Sequence, residues 1–193
     1  MIAHIEGILE SKLPNQVVID VNGIGYLLHI SLNTYESLPS KGKLRLYSHL
    51  IVREDAHLLF GFAEEKERTM FRELINVSGV GANTALMILS SMKPDEVILA
   101  VDQSNVDACK SIKGIGLKSA QRIIVDLKGN LDKIESISEF LYSQDNTLKN
   151  EALSALVVLG IEKKKATKAI DEILSNTEVA SVEELIKMTL KAV

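Results

Sequence analysis

Along residues 1–63 apolar and polar positions alternate in short runs. Ile2 to Glu10, Gln16 to Val21, Tyr26 to Ile30, Leu44 to Val52 and His57 to Phe62 are rich in Ile, Val, Leu and Tyr, the period-two pattern of half-buried strands. Between them stand Leu13-Pro14-Asn15, Asn22-Gly23-Ile24-Gly25 and Leu38-Pro39-Ser40-Lys41-Gly42, breaks with turn chemistry. Five strands with a brief helical insert near Thr34–Leu38 predict a small closed barrel of the OB type. From Glu64 the period lengthens to that of helices. Glu64 and Glu65 suit a first helical turn, where acidic side chains meet the positive end of the helix dipole. Pro94 followed by Asp95 and Glu96 marks another start, and the helical block closes near Gly129-Asn130.

Residues 131–148 are acidic and polar, and Tyr142 to Thr147 is the best linker. Residues 148–193 predict three short helices. The first stops at Gly160, the second carries Ala166, Ala169, Ile170, Ile173 and Leu174, and the third opens at Ser181 with Glu184 three positions on, a capping-box pattern. A bundle this small suits docking of another protein; a stabilising tail is the plain alternative. The expected class is therefore α+β and multidomain. It comprises a barrel over 1–63, a helical domain over 64–141, a linker over 142–147 and a three-helix bundle over 148–193.

The helical block contains a repeat. Residues 74–92 recur after a shift of 35: Gly79 and Gly81 map onto Gly114 and Gly116, and Val77 onto Ile112. Ala85, Ile88, Leu89 and Met92 map onto Ala120, Ile123, Ile124 and Leu127, one face of a helix in each copy. Each copy thus reads helix, Gly-x-Gly turn, helix. Two glycines relax the backbone, and Val80 or Ile115 between them can anchor the turn in the core. The freed N–H groups then stand at a helix N-terminus, suited to a phosphate oxygen. Such contacts hold a sugar-phosphate chain and read no base edges. Dinucleotide folds use a similar turn after a strand; here Thr69 to Val77 and Asn105 to Ile112 read as helices. Two hairpins without a ligand are the bland alternative.

Charge sharpens this picture. The net charge is −4, unlike the basic excess usual in DNA binders. Yet residues 110–128 hold Lys110, Lys113, Lys118, Arg122 and Lys128 against only Asp126, a local basic patch able to meet phosphate. The first hairpin, residues 71–92, is neutral. Apolar residues make up 46% of the chain and aromatics 4%, so the cores must be aliphatic. Lone Cys109, the absence of a bilayer-length apolar run and an N-terminus unlike a signal peptide point to the cytoplasm.

Enzyme chemistry finds little purchase. There is no Gly-x-x-x-x-Gly-Lys-[Ser/Thr] loop, so any ATP hydrolysis must come from a partner. His4, His29, His49 and His57 lack metal-ligand spacing, and Cys109 sits in a helical pattern as a core thiol. No cofactor or metal site is expected. A nuclease with paired hairpins is the alternative, and its metal would need Glu54 and Asp55. These two acids fall at a predicted hairpin tip, which by itself is usually a solvated loop. A protein adaptor using the C-terminal bundle alone leaves the repeat unexplained.

Taken together, the paired hairpins resemble helix-hairpin-helix motifs. With the strand-rich start and the small final bundle, the whole chain resembles the RuvA family, the Holliday-junction-binding subunits of bacterial RuvAB branch-migration complexes. Val52-Arg53-Glu54-Asp55-Ala56-His57-Leu58-Leu59-Phe60-Gly61-Phe62 and the Gly-Val-Gly and Gly-Ile-Gly turns carry the likeness most specifically. The resemblance implies a non-catalytic, structure-selective binder of four-way junction DNA in homologous recombination and DNA repair. It implies a homotetramer, one or two facing, and recruitment of a RuvB-type hexameric ATPase through residues 148–193. It further implies phosphate contacts at Ser78, Gly79, Gly81, Gly114, Gly116, Lys118 and Arg122. Asn83, a neutral donor, and Leu117 stand where relatives often carry lysine. Glu54 and Asp55 correspond to an acidic pin at the junction crossover.

Overall fold

The computed structural model describes residues 1–129, 148–161, 163–176, 179 and 181–192. Its elements fall into two compact units, one carrying everything from β1 to the sixth helix and the other the last three helices. Strands β1 (His4–Leu13), β2 (Gln16–Val21), β3 (Ile24–His29), β4 (Gly42–Val52) and β5 (His57–Phe62) close a barrel in the order β1-β2-β3-β5-β4. All neighbours pair antiparallel except β3 and β5. This is the OB-like barrel that the alternation predicts. Its interior is the inward half of each strand: Ile5, Leu9, Val17, Ile19, Leu28, Leu46 and Leu59 are buried together.

Several boundaries differ from the expected ones, and three of them have a local cause. β1 runs on to Leu13 because a register shift between Leu9 and Ser11 bends it; its first half pairs with β4 and its second half with β2. A bulge of this kind lets one strand turn a barrel corner. β3 begins at Ile24 because Asn22 and Gly23, at φ 54° and 89°, form a two-residue turn of the left-handed type that extends the hairpin ladder. The insert α1 (Leu32–Ser37) starts earlier than Thr34, since the Ser31 hydroxyl accepts from the Thr34 N–H and caps it.

The first unit continues with α2 (Glu65–Asn76), α3 (Ala82–Ser91), α4 (Pro94–Asp102), α5 (Val106–Lys110) and α6 (Leu117–Lys128). α2 lies against the barrel through an aromatic cluster, with Phe71 centred 5.0 Å from Phe60 and 4.9 Å from Phe62. Phe60 and Phe62 therefore belong to the core of the helices, together with Leu74, Ile88, Leu89, Ile123 and Leu127. Pro94 opens α4 at a position that needs no N–H, and the Lys93 N–H donates to Glu96 at 2.7 Å. Cys109 is buried in the same core, and burial pushes its thiol pKa up.

In the second unit α7 (Leu148–Val158), α8 (Lys163–Asn176) and α9 (Val182–Ala192) enclose Ala152, Leu156, Ala166, Ile170 and Leu185. Gly160 at φ 90° ends α7 with the Ile161 N–H on the Leu156 carbonyl at 3.0 Å, a left-handed helix stop. The Glu184 N–H donates to the Ser181 hydroxyl at 3.3 Å, capping α9. The expected linker, 142–147, and residues 131–141 lie outside the described residues. Among the described residues no helix is long and apolar enough to cross a membrane.

Candidate nucleic-acid interface

The two Gly-x-Gly turns are built alike, bond for bond. In the first, the Val77 N–H donates to Leu74 O at 3.1 Å, Val80 N–H to Val77 O at 3.0 Å and Ala85 N–H to Gly81 O at 2.9 Å. Thirty-five residues on, the Ile112, Ile115 and Ala120 N–H groups donate to Cys109, Ile112 and Gly116 at 3.3, 3.1 and 2.9 Å. Val80 and Ile115 are buried, the anchors of their turns. The apolar face repeats too: Ala85, Ile88 and Leu89 in α3 and Ala120, Ile123, Ile124 and Leu127 in α6 are buried in one core, with Met92 packed at its edge.

The glycines of each turn do different work. Gly79 and Gly114 sit at φ 87° and 86°, where a Cβ is strained. Gly81 and Gly116 have φ −86° and −82° with extended ψ, which any residue adopts. The expectation that both glycines relax the backbone is thus corrected: only the first of each pair does. The second caps the following helix, and a Cβ there would enter open space. Neither Gly81 nor Gly116 offers a capping side chain to the helix it opens. The first-turn N–H groups of an α-helix have no carbonyl partner within it. Two outward-facing clusters of donors result, each with a helix dipole behind it.

Side chains complete the surface. Ser78, Asn83, Lys118 and Arg122 are exposed. Lys118 stands in the first turn of α6, and Asn83 occupies the same place in α3. Arg122 does not stay with its own turn; it reaches across to the Ser78 main chain and hydroxyl. Of the other basic residues of the patch, Lys110 and Lys113 are exposed, and Lys128 donates to the Ser104 hydroxyl at 3.0 Å. Leu117 is exposed beside Lys118. Glu54 and Asp55 lie at the end of the β4–β5 hairpin, in a tight turn closed by the Arg53 N–H on Ala56 O at 2.8 Å. Both are exposed.

Family models match the chain in three consecutive pieces. Residues 1–61 match the RuvA N terminal domain, residues 71–129 the SAM-like Helix-hairpin-helix tandem and residues 147–193 the RuvA, C-terminal domain. A protein of Flavobacterium psychrophilum is 49% identical over 191 residues, 99% of each chain. The chain belongs to the RuvA family. Further family members include a protein of Christiangramia forsetii, 49% identical over 191 residues, and one of Bacteroides fragilis, 42% identical over 202 residues, each covered to 99% with this chain. All three relatives are named Holliday junction branch migration complex subunit RuvA. The nuclease alternative gains no support from these relatives. Among the described residues no group of three or more His, Cys, Asp or Glu side chains, at Glu54 and Asp55 or elsewhere, is placed to hold a metal ion.

The residues that sequence reasoning missed are those joining barrel to hairpin. Ser31 and Thr34 of the α1 region bind buried Glu67 of α2, and Asn33 binds the end of α3. None carries a motif; only the three-dimensional arrangement brings them together.

Proposed function

We propose that this chain is the junction-binding subunit of a branch-migration complex. It grips the sugar-phosphate backbone of four-way DNA and carries no chemistry of its own. One observation carries the reading: two turns of matching geometry present uncapped helix N-termini on one unit, with Lys118 and Arg122 beside them. Backbone donors recognise phosphate whatever the base, so the binding follows DNA shape.

The division of labour follows the elements. The hairpins of residues 64–141 hold duplex arms through Ser78, Gly79, Gly81, Asn83, Gly114, Gly116, Lys118 and Arg122. The barrel of residues 1–63 presents Glu54 and Asp55 to the crossover, where four copies around a four-fold axis would gather their carboxylates. Residues 142–147 act as a linker. Residues 148–193 dock a RuvB-type hexameric ATPase in the cytoplasm; the exposed Val158 and Leu159 at the end of α7 support a docking role.

Gel-shift titration tests the reading. A synthetic four-way junction should bind well ahead of a linear duplex of the same length, and scrambling the arm sequences should change little. Equal affinity for junction and duplex, or a strong preference for one sequence, overturns it.

A further inference from the structure

α1 is a short helix inserted between two barrel strands, yet its bonds run to the DNA-binding hairpin. Three contacts fasten it. The Asn33 amide donates to the carbonyls of Leu89 and Met92 at the C-terminal end of α3. The Leu32 N–H donates to the Ser90 hydroxyl at 3.0 Å, which in turn donates to Leu86 O at 2.7 Å. Below them Glu67 of α2 is only 4% exposed. Its carboxylate accepts from the Ser31 hydroxyl and, at 2.6 Å, from the Thr34 hydroxyl.

The two hydroxyls are oriented for this. Ser31 Oγ accepts from the Thr34 N–H at 3.0 Å, and Thr34 Oγ1 accepts from the Ala63 N–H at 3.1 Å. With those lone pairs engaged, each hydroxyl proton is directed to the carboxylate. A buried ionisable group held by two hydroxyls, each fixed in turn by a backbone N–H, specifies geometry in a way that an apolar contact does not.

We propose that α1 is a strut that sets the angle between the barrel and the first DNA-binding turn, with Asn33 and Glu67 as its positioning residues. Leverage makes the angle matter. α3 is ten residues long, or about 15 Å at 1.5 Å per residue. Asn33 holds its C-terminal end, and Gly81 with the phosphate donors stands at the other. A tilt of about 10° over that length displaces the donors by about 2.6 Å, enough to break a hydrogen bond to phosphate. A linear duplex tolerates such a tilt because it can follow the turns. A branched DNA cannot, since it must meet the turns and the β4–β5 tip together.

This inference rests on the junction-binding reading, so its test has one arm that needs no DNA. Asn33 is partly buried, and water can replace its amide, so Asn33→Ala should fold. In a Cys109→Ser background, spin labels at Val52→Cys on β4 and Ser91→Cys on α3 report the separation of barrel and hairpin, with labelled chains diluted into excess unlabelled chain. Asn33→Ala should broaden the distance distribution, and Glu67→Gln should do the same. In gel shifts Asn33→Ala should bind the four-way junction about tenfold more weakly, the effect of about 1.4 kcal/mol, with duplex affinity unchanged. A distribution as narrow as the parent's overturns the strut. So does an equal loss on junction and duplex, which would show damage to the turn itself. Should Glu67→Gln fail to fold, Asn33→Ala decides. If the parent shows no junction preference, the functional reading fails, while the label distances still decide the strut.

Discussion

Arg122 donates from one guanidinium nitrogen, Nη1, to both oxygens of Ser78, the carbonyl at 3.1 Å and the hydroxyl at 3.2 Å. Arg122 belongs to the second hairpin and Ser78 to the turn of the first. The relation is reciprocal. Met87, which occupies the place of Arg122 in the first copy, lays its methyl 3.4 Å from where a Cβ on Gly114 would stand. Each hairpin therefore rests the same helical position on the other's turn. By sequence both Lys118 and Arg122 lie in the second copy and leave the first neutral. In space the second turn has Lys118 and the first has Arg122.

That placement predicts a specific exchange. A guanidinium carries five N–H donors, so one bound to Ser78 through Nη1 still has donors for a phosphate. Arg122→Ala should flatten the plot of log affinity against log salt by about 0.9, one phosphate contact. Adding Asn83→Lys to Arg122→Ala should restore the slope, because Asn83 opens the same first turn. Gel-shift titration across salt concentrations reads both. No recovery in the double variant would show that Arg122 grips elsewhere.

The glycines separate stability from binding. Gly114→Ala places a Cβ at φ 86° and should destabilise the fold by about 1 kcal/mol. Gly116→Val keeps an ordinary backbone and its Cβ meets no atom within 4 Å, so the chain should still fold, with only the small loss of stability that Val in place of Gly brings at a helix N-cap. Its side chain would stand where a phosphate must approach the first-turn donors, and junction binding should fall more than for Lys118→Ala. Normal binding by a folded Gly116→Val would make that turn structural only.

Glu67 gives the fold a pH dependence. Burial pushes its carboxyl pKa up, the hydroxyl bonds from Ser31 and Thr34 pull it back in part, and nearby Glu64 raises it further. An acid with a raised folded-state pKa keeps its proton longer when folded than when unfolded. Stability is then greatest with the proton on, and it falls as pH rises from the unfolded value of about 4.3 through the folded one. Glu67→Gln cannot titrate. The difference in urea-unfolding free energy, parent minus Glu67→Gln, should therefore decline with pH across that window and level off above it. A difference that rises over the window would contradict the sign.

How much of this could be read from sequence depends on how local each signal is. Strands of the barrel were legible because alternation is a nearest-neighbour pattern. The Leu9–Ser11 bulge was not, since it is set by two different partner strands. The Gly-x-Gly repeat was legible at its period of 35. The pattern could not say that Gly79 and Gly114 alone need the left-handed backbone, because one letter covers both roles of glycine. Arg122 stands out in the basic patch, but its crossing to Ser78 spans 44 residues. Asn33 to Leu89 and Thr34 to Glu67 span 56 and 33; such polar joints have no periodicity to betray them.

The C-terminal bundle should be dispensable for DNA and required for the motor. It forms a compact unit with its own core around Leu156, Ile170 and Leu185, and it has no Gly-x-Gly turn. A chain ending near Gln144 should bind junctions as the full chain does. Supplied with a RuvB-type ATPase and ATP, it should fail to stimulate branch migration. Full stimulation by the shortened chain would remove the docking role.

The β4–β5 tip makes the sharpest electrostatic test. Glu54 and Asp55 are exposed and lie beyond the last ladder pair, Val52 with His57, so Glu54→Gln with Asp55→Asn should leave the fold intact. The change removes two negative charges per chain, eight in a four-fold assembly, at nearly constant shape. A carboxylate 4 Å from a phosphate costs about 1 kcal/mol in water and about 4 kcal/mol at an effective dielectric of 20. Repulsion of that size, repeated around an axis, would drive strands apart at a crossover and disfavour an uninterrupted duplex lying across it. The double variant should therefore bind linear duplex more tightly at low salt while its preference for the junction falls. Raising the salt should narrow the gap between variant and parent, because exposed charges more than about 10 Å apart are screened at 0.1 M. A metal-binding role for the same pair predicts the reverse, loss of a Mg²⁺-dependent activity with no gain on duplex. If the variant binds linear duplex no better than the parent at low salt, repulsion is not what these two residues contribute.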